Sequence, residues 1–157
     1  MMDTITKIKA AVTAALAVLS AKMGILAVPM LVLVTLNIVD YFTGLGAAPY
    51  RGETRNSDKG FRGIWKKVCM WILVGIGAAV DWLILYASNT IGLQINLHFL
   101  VAALVAVWLI CNEIISVLEN VRDIGVDLPP FLLKIVEQVK DAAENKADTK
   151  NKEREAK

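Results

Sequence analysis

The sequence predicts an all-α integral membrane protein: three transmembrane helices, preceded by an amphipathic N-terminal helix and followed by a charged cytoplasmic tail. Three observations carry this. Long apolar stretches occupy 24–43, 68–86 and 97–117, and a crossing needs roughly 20 such residues. The hydrophobic fraction is 56% and the mean hydropathy is +0.54, whereas soluble domains run roughly 45–50% apolar even with glycine counted. Between the first two stretches lies a short basic segment, 51–67. It sets Arg51, Arg55, Lys59, Arg62, Lys66 and Lys67 against Glu53 and Asp58, a net charge of +4.

In order along the chain, 4–22 has helical spacing. Ile5, Ile8, Val12, Leu16 and Leu19 recur every three or four residues, with Thr6, Lys9, Thr13 and Ser20 on another face. Its uninterrupted apolar run is too short to cross, so it is expected to lie in the membrane interface. Lys7 and Lys9 ahead of that run resemble the start of a signal peptide. The return to apolar sequence after Lys22 argues against cleavage.

The first span, 24–43, has Pro29 near its start, where a missing backbone donor is tolerated. Asn37 and Asp40 share a face near its far end, and Tyr41 and Phe42 suit an aromatic belt. Gly44 and Gly46 are expected to end the helix, and Pro49 to keep it ended. The second span, 68–86, is anchored by Trp65, Lys66 and Lys67 at one end and by Trp82 and Tyr86 at the other. Gly75 and Ala79 make a small-xxx-small pair suited to close helix approach. The third span, 97–117, carries a stripe of Ala102, Ala106, Leu109, Glu113, Ser116 and Asn120 on one face, and Val101, Leu104 and Trp108 on another. After a turn at Pro129 and Pro130, apolar spacing predicts a short surface helix over 130–143. The charged stretch 144–157 is expected to be disordered.

Loop charge sets the topology. Short loops rich in Lys and Arg stay cytoplasmic, so 51–67 is placed inside, with Arg51, Arg55, Lys59, Arg62, Trp65, Lys66 and Lys67 as orienting and headgroup-anchoring residues. The turn 87–96 carries no charge and is placed outside. The third span then runs inward and the tail is cytoplasmic. With three spans the N-terminus is outside; were 4–22 also to cross, it would be inside.

The composition excludes several classes. A net charge of +2 gives no nucleic-acid signal. Cys69 and Cys111 sit alone in apolar runs and read as small packing residues, and the one histidine, His98, cannot build a metal site. With no nucleophile motif and no phosphate loop, no catalytic residue, cofactor or metal is assigned. Asp81 and Glu113 are costly inside a bilayer and lie toward opposite faces, so they are no catalytic pair. Three short helices offer them few partners, so self-association is expected to satisfy them. Asn37, Asp40, Gly75, Ala79, Asp81, Ala102, Ala106, Glu113, Ser116 and Asn120 are therefore the candidate packing or pore-facing positions.

Three blocks carry a family resemblance: DYFTG at 40–44, NSDKGFRGIWKK at 56–67 and NEIISVLENVRDIGVDLPPFL at 112–132. In order and spacing they resemble the bacteriophage holin family that includes clostridial toxin-secretion holins. The matching positions are Thr43, Gly44, Gly60, Gly63, Asn112, Glu119, Gly125 and Pro129. The resemblance implies a small protein of the bacterial inner membrane that forms homo-oligomeric lesions in the lipid bilayer. A cytoplasmic endolysin or a toxin would be the cargo. Two other readings stay open: a small channel or transporter subunit, and a membrane adaptor that binds a cytoplasmic partner through the basic segment and tail.

Overall fold

The computed structural model describes residues 2–53, 57–93 and 99–155, so Arg55 and His98 lie outside the described residues. The architecture is α1 (Met2–Met23), a 3-10 turn (Gly24–Leu26), α2 (Ala27–Ala47), α3 (Ser57–Thr90), α4 (Leu100–Asp123) and α5 (Pro130–Glu155), and no strand occurs among the described residues. Three helical stretches are long and apolar enough to cross a membrane: Gly24–Ala47, Gly60–Thr90 and Leu100–Asp123. Helix α1 is not one of them. Its Ile5, Ile8 and Val12 are exposed, and the chain bends after it at Gly24, whose φ of +53° suits a residue without Cβ.

Several boundaries differ from the sequence expectation, each for a local reason. Helix α2 runs through Gly44 and Gly46 to Ala47. Both glycines pack on α4: a Cβ at Gly44 would lie 3.6 Å from the Asn120 amide, and one at Gly46 3.6 Å from Ile124. That packing outweighs the weak helix propensity of glycine, about 1 kcal/mol below alanine. Helix α3 starts at Ser57, so most of the basic segment is helix and not loop. Asp58 sits in its first turn, where a carboxylate favours the helix N-terminus. Helix α5 continues to Glu155, into the stretch expected to be disordered. That stretch is rich in Ala, Glu and Lys, which propagate a helix once packing against α4 has nucleated it. Past the end of α4 comes Gly125, whose φ is +101°, with Val126 N–H donating back to the Val121 carbonyl.

The packing centres on α4. It contacts α2, α3 and α5, whereas α2 and α3 meet only lightly. Residues 37, 44 and 46 of α2 face 113, 120 and 124 of α4, so these helices run parallel. Residues 67 and 81 of α3 meet 113 and 101 of α4, so α3 runs antiparallel. The bundle is inverted relative to a water-soluble fold. Asn37, Asp81, Glu113 and Asn120 are buried, while Ile25, Leu31, Phe42, Ile72, Trp82 and Tyr86 are exposed. A soluble protein hides its large apolar groups; here they form the outer surface, as contact with lipid requires. Hydroxyls on the spans are satisfied locally: Thr35 donates to the Leu31 carbonyl, Ser88 to Leu85 and Thr90 to Tyr86.

Gly75 and Ala79 do not mediate the α3–α4 contact. Both are exposed, and nothing lies within 4 Å of a Cβ built at Gly75. The close approach occurs two residues on, at Gly77, where a Cβ would stand 2.9 Å from the Ala102 Cα. Gly75→Leu and Ala79→Leu are therefore expected to leave the monomer fold intact. Thermal melting of the purified chain in detergent micelles checks this, and a fall in midpoint with either variant would contradict it.

Candidate functional site

The polar residues of the three spans do not wait for a second copy of the chain: they meet one another. Helix geometry puts Asn37 and Asp40 on one face of α2, and Glu113 and Asn120 on one face of α4, two turns apart. The parallel pairing of α2 and α4 brings these faces together. Helix α3 adds Lys67, whose Nζ donates to Asp40 Oδ2 at 2.7 Å and to Glu113 Oε2 at 2.5 Å. The side chains of Lys67, Asp40 and Glu113 are 12%, 16% and 3% exposed.

Asn37 extends the cluster upward. A carboxylate only accepts and an indole N–H only donates, so the Asn37 amide turns its nitrogen to Glu113 Oε2 and its oxygen to Trp71 Nε1, both at 2.9 Å. Asn120 extends it downward. Its nitrogen donates to Asp40 Oδ1 at 3.0 Å and to Thr43 Oγ1 at 3.2 Å. Its oxygen accepts from Arg51 at 3.0 Å, and Arg51 also pairs with Asp123 and Glu53. The result is a continuous ladder from Trp71 to Asp123, with rungs from α2, α3, α4 and the turn after α2. Among the described residues, no buried side-chain nitrogen or oxygen lacks a partner.

The physics explains why the ladder is closed. An ionised group at mid-bilayer costs about 2.5–3.5 kcal/mol even on insertion scales. Glu113 lies about 20 Å along α4 from Leu100, well inside the apolar stretch. Pairing with Lys67 and a second hydrogen bond from Asn37 compensate that cost within the chain. The expectation that self-association would satisfy Glu113 is thus corrected: the sequence does not reveal that α2 and α3 both present partners to α4. Lys67 likewise is not a headgroup anchor, because it points into the bundle. Arg62, Trp65 and Lys66 are exposed at the same end of α3. Helix α3 includes Lys59, whose side chain is not described.

Asp81 plays a separate, capping role. Residue Phe99 precedes α4 with φ at 55° and provides no side-chain cap. Asp81 supplies one from α3, its two oxygens accepting from Val101 and Ala102 N–H at 2.9 Å each. These donors at the start of a helix have no intrahelical partner, and a carboxylate there also favours the helix dipole. The stripe of Ala102, Ala106, Leu109, Glu113 and Asn120 is buried against α2 and α3, with Ser116 partly covered. Of the remaining motif positions, a Cβ at Gly60 would lie 3.8 Å from the Tyr41 hydroxyl, one at Gly63 would meet nothing within 4 Å, Asn112 is partly covered, and Glu119 and Pro129 are exposed. Sequence reasoning missed Trp71 and Asp123, and puts Gly77 on the face of Asp81 without assigning it a contact. Trp71 follows Lys67 by four residues, and Gly77 precedes Asp81 by four, so helix-face spacing was the available signal.

The described residues contain no group of His, Cys, Asp or Glu that could hold a metal ion. The arrangement holds helices together and supplies no nucleophile with an activating base. Comparison with known proteins agrees on the class of molecule. The family model described as "Bacteriophage holin family" matches residues 17–141. An uncharacterised protein of Halalkalibacterium halodurans is 33% identical over 139 residues, covering 88% of this chain and 96% of its own length. An uncharacterised protein of Listeria monocytogenes is 37% identical over 105 residues, covering 67% of this chain and 66% of its own. One of Clostridium perfringens is 29% identical over 111 residues, covering 71% of this chain and 74% of its own. No solved structure matches. With an inverted three-helix bundle and a family match over most of its length, this chain belongs to the bacteriophage holin family.

Proposed function

We propose that the chain acts as a holin: it oligomerises in the bacterial inner membrane and forms lesions that release a cytoplasmic endolysin or a toxin. The observation that carries this is the family match over residues 17–141, on a bundle with three candidate spans. The basic end of α3 and the positive-inside tendency favour a cytoplasmic position for the turn between α4 and α5. Helices in lipid lack a hydrophobic drive to associate, so three spans whose polar groups are already paired with one another can persist as one unit until copies accumulate. The charged stripe of α4 then serves first as the packing face of the monomer.

Expression in bacteria tests the reading through culture density, membrane potential and appearance of a folded cytoplasmic enzyme outside the cell. Abrupt growth arrest with enzyme release is the expected result. Ion flux without enzyme release would replace the holin reading with a channel, and normal growth with an adaptor. In the same assay, Glu113→Gln and Asp81→Asn are expected to shift the onset of lysis while the protein still fractionates with membranes. Wild-type onset in both would remove these residues from the timing of assembly.

A further inference from the structure

Helix α5 lies where a charged helix should not lie beside lipid. It turns back along α4, and Val136 and Ala143 are buried. Lys140 Nζ sits 5.3 Å from the centre of the Trp108 ring, and Trp108 Nε1 donates to Glu144. Trp108 is roughly 22 Å along α4 from Asp123, so the contact falls deep within a hydrocarbon layer about 30 Å thick. The outward face of α5 carries Lys134, Glu137, Gln138 and Asp141, all exposed. Lipid does not tolerate such a face; water does. By contrast, the outer surface of α3 presents Ile72, Ile76, Trp82 and Leu83. One side of the bundle is therefore suited to hydrocarbon and the α5 side to an aqueous compartment.

We propose that α5, docked on α4 through Trp108, forms the wetted wall of the assembled lesion, with its charged face toward the lumen and α3 toward lipid. The inference rests on the pore-forming reading above and adds which surface the pore exposes. Copies arranged in a ring with α5 inward would satisfy both sides at once. The α4 stripe stays packed against α2 and α3, and the lumen is lined by side chains that need no desolvation.

The test uses the full-length chain in planar lipid bilayers under a salt gradient. Wild-type protein is expected to conduct. Glu137→Lys combined with Asp141→Lys is expected to lower the cation-to-anion permeability ratio several-fold, read from the reversal potential. As an independent measurement, a single cysteine at Glu137 is introduced after Cys69→Ser and Cys111→Ala. A charged methanethiosulfonate reagent should reduce its conductance, and the same reagent on a cysteine at Ile72 should not. Conductance that ignores both the charge reversal and the α5 thiol would overturn the proposal while sparing the pore-forming reading. Absence of conductance from wild-type protein would overturn both.

Discussion

Lys67→Met is expected to prevent the three spans from staying together. It leaves Asp40 and Glu113 facing each other without their shared cation, at 16% and 3% side-chain exposure. Removing one partner from a buried ion pair costs about 3–5 kcal/mol, a large fraction of the stability of a small domain. The variant should therefore accumulate poorly in membranes, and should lose its folded near-ultraviolet signal in micelles far below the wild-type midpoint. Restoring neutrality separates charge from shape. Adding Asp40→Asn and Glu113→Gln to Lys67→Met should recover part of the midpoint, since no unpaired buried charge remains and the amide oxygens can still accept from Asn120 and Asn37. If Lys67→Met alone melted like wild type, Lys67 would be a headgroup anchor after all, and the ladder would be incidental.

Gly77→Ala is the second large effect, from a single methyl group. Its Cβ would come 2.9 Å from the Ala102 Cα and 3.1 Å from the Ala102 nitrogen, both backbone atoms that no rotamer change can move. Helices α3 and α4 must separate, and Asp81 sits one turn away on the same face with both oxygens on the start of α4. Overpacking typically costs about 1–3 kcal/mol, to which weakening of the cap adds. A clear drop in melting midpoint is expected, against no drop for the much bulkier Gly75→Leu. Equal behaviour of the two variants would show that the α3–α4 crossing is not as close as described.

These two variants also mark where the sequence was legible. The spans could be read because lipid demands long apolar runs, a one-dimensional property. The stripe from Ala102 to Asn120 could be read as one face because helical periodicity fixes which side chains line up. What that face touches could not. Lys67 looked like an anchor because basic residues at the ends of spans commonly are. Only the parallel pairing of α2 with α4, and the antiparallel approach of α3, set it between two carboxylates. The Gly75–Ala79 pair fitted a general packing pattern, yet the contact uses Gly77, because the rotation of α3 is set by Asp81 and Lys67 together. The glycines at 44 and 46 suggested a helix end and instead admit Asn120 and Ile124. Charge composition marked 144–157 as a tail, although the apolar positions upstream of it already prescribed a helix that could dock and be extended.

The Asp40–Lys67 pair has a consequence for how the chain enters the membrane. Synthesis delivers the segments in order from the N-terminus, so the acid of the first span and the base at the start of the second emerge before Glu113 exists. Meeting at 2.7 Å, they let the first hairpin partition into lipid with its opposite charges mutually cancelled. The third span then arrives at a ready-made donor, Lys67, for its own carboxylate. Moving the base from the second span to the third would leave the finished cluster with the same charges, yet strand Asp40 as a lone charge in the bilayer during assembly.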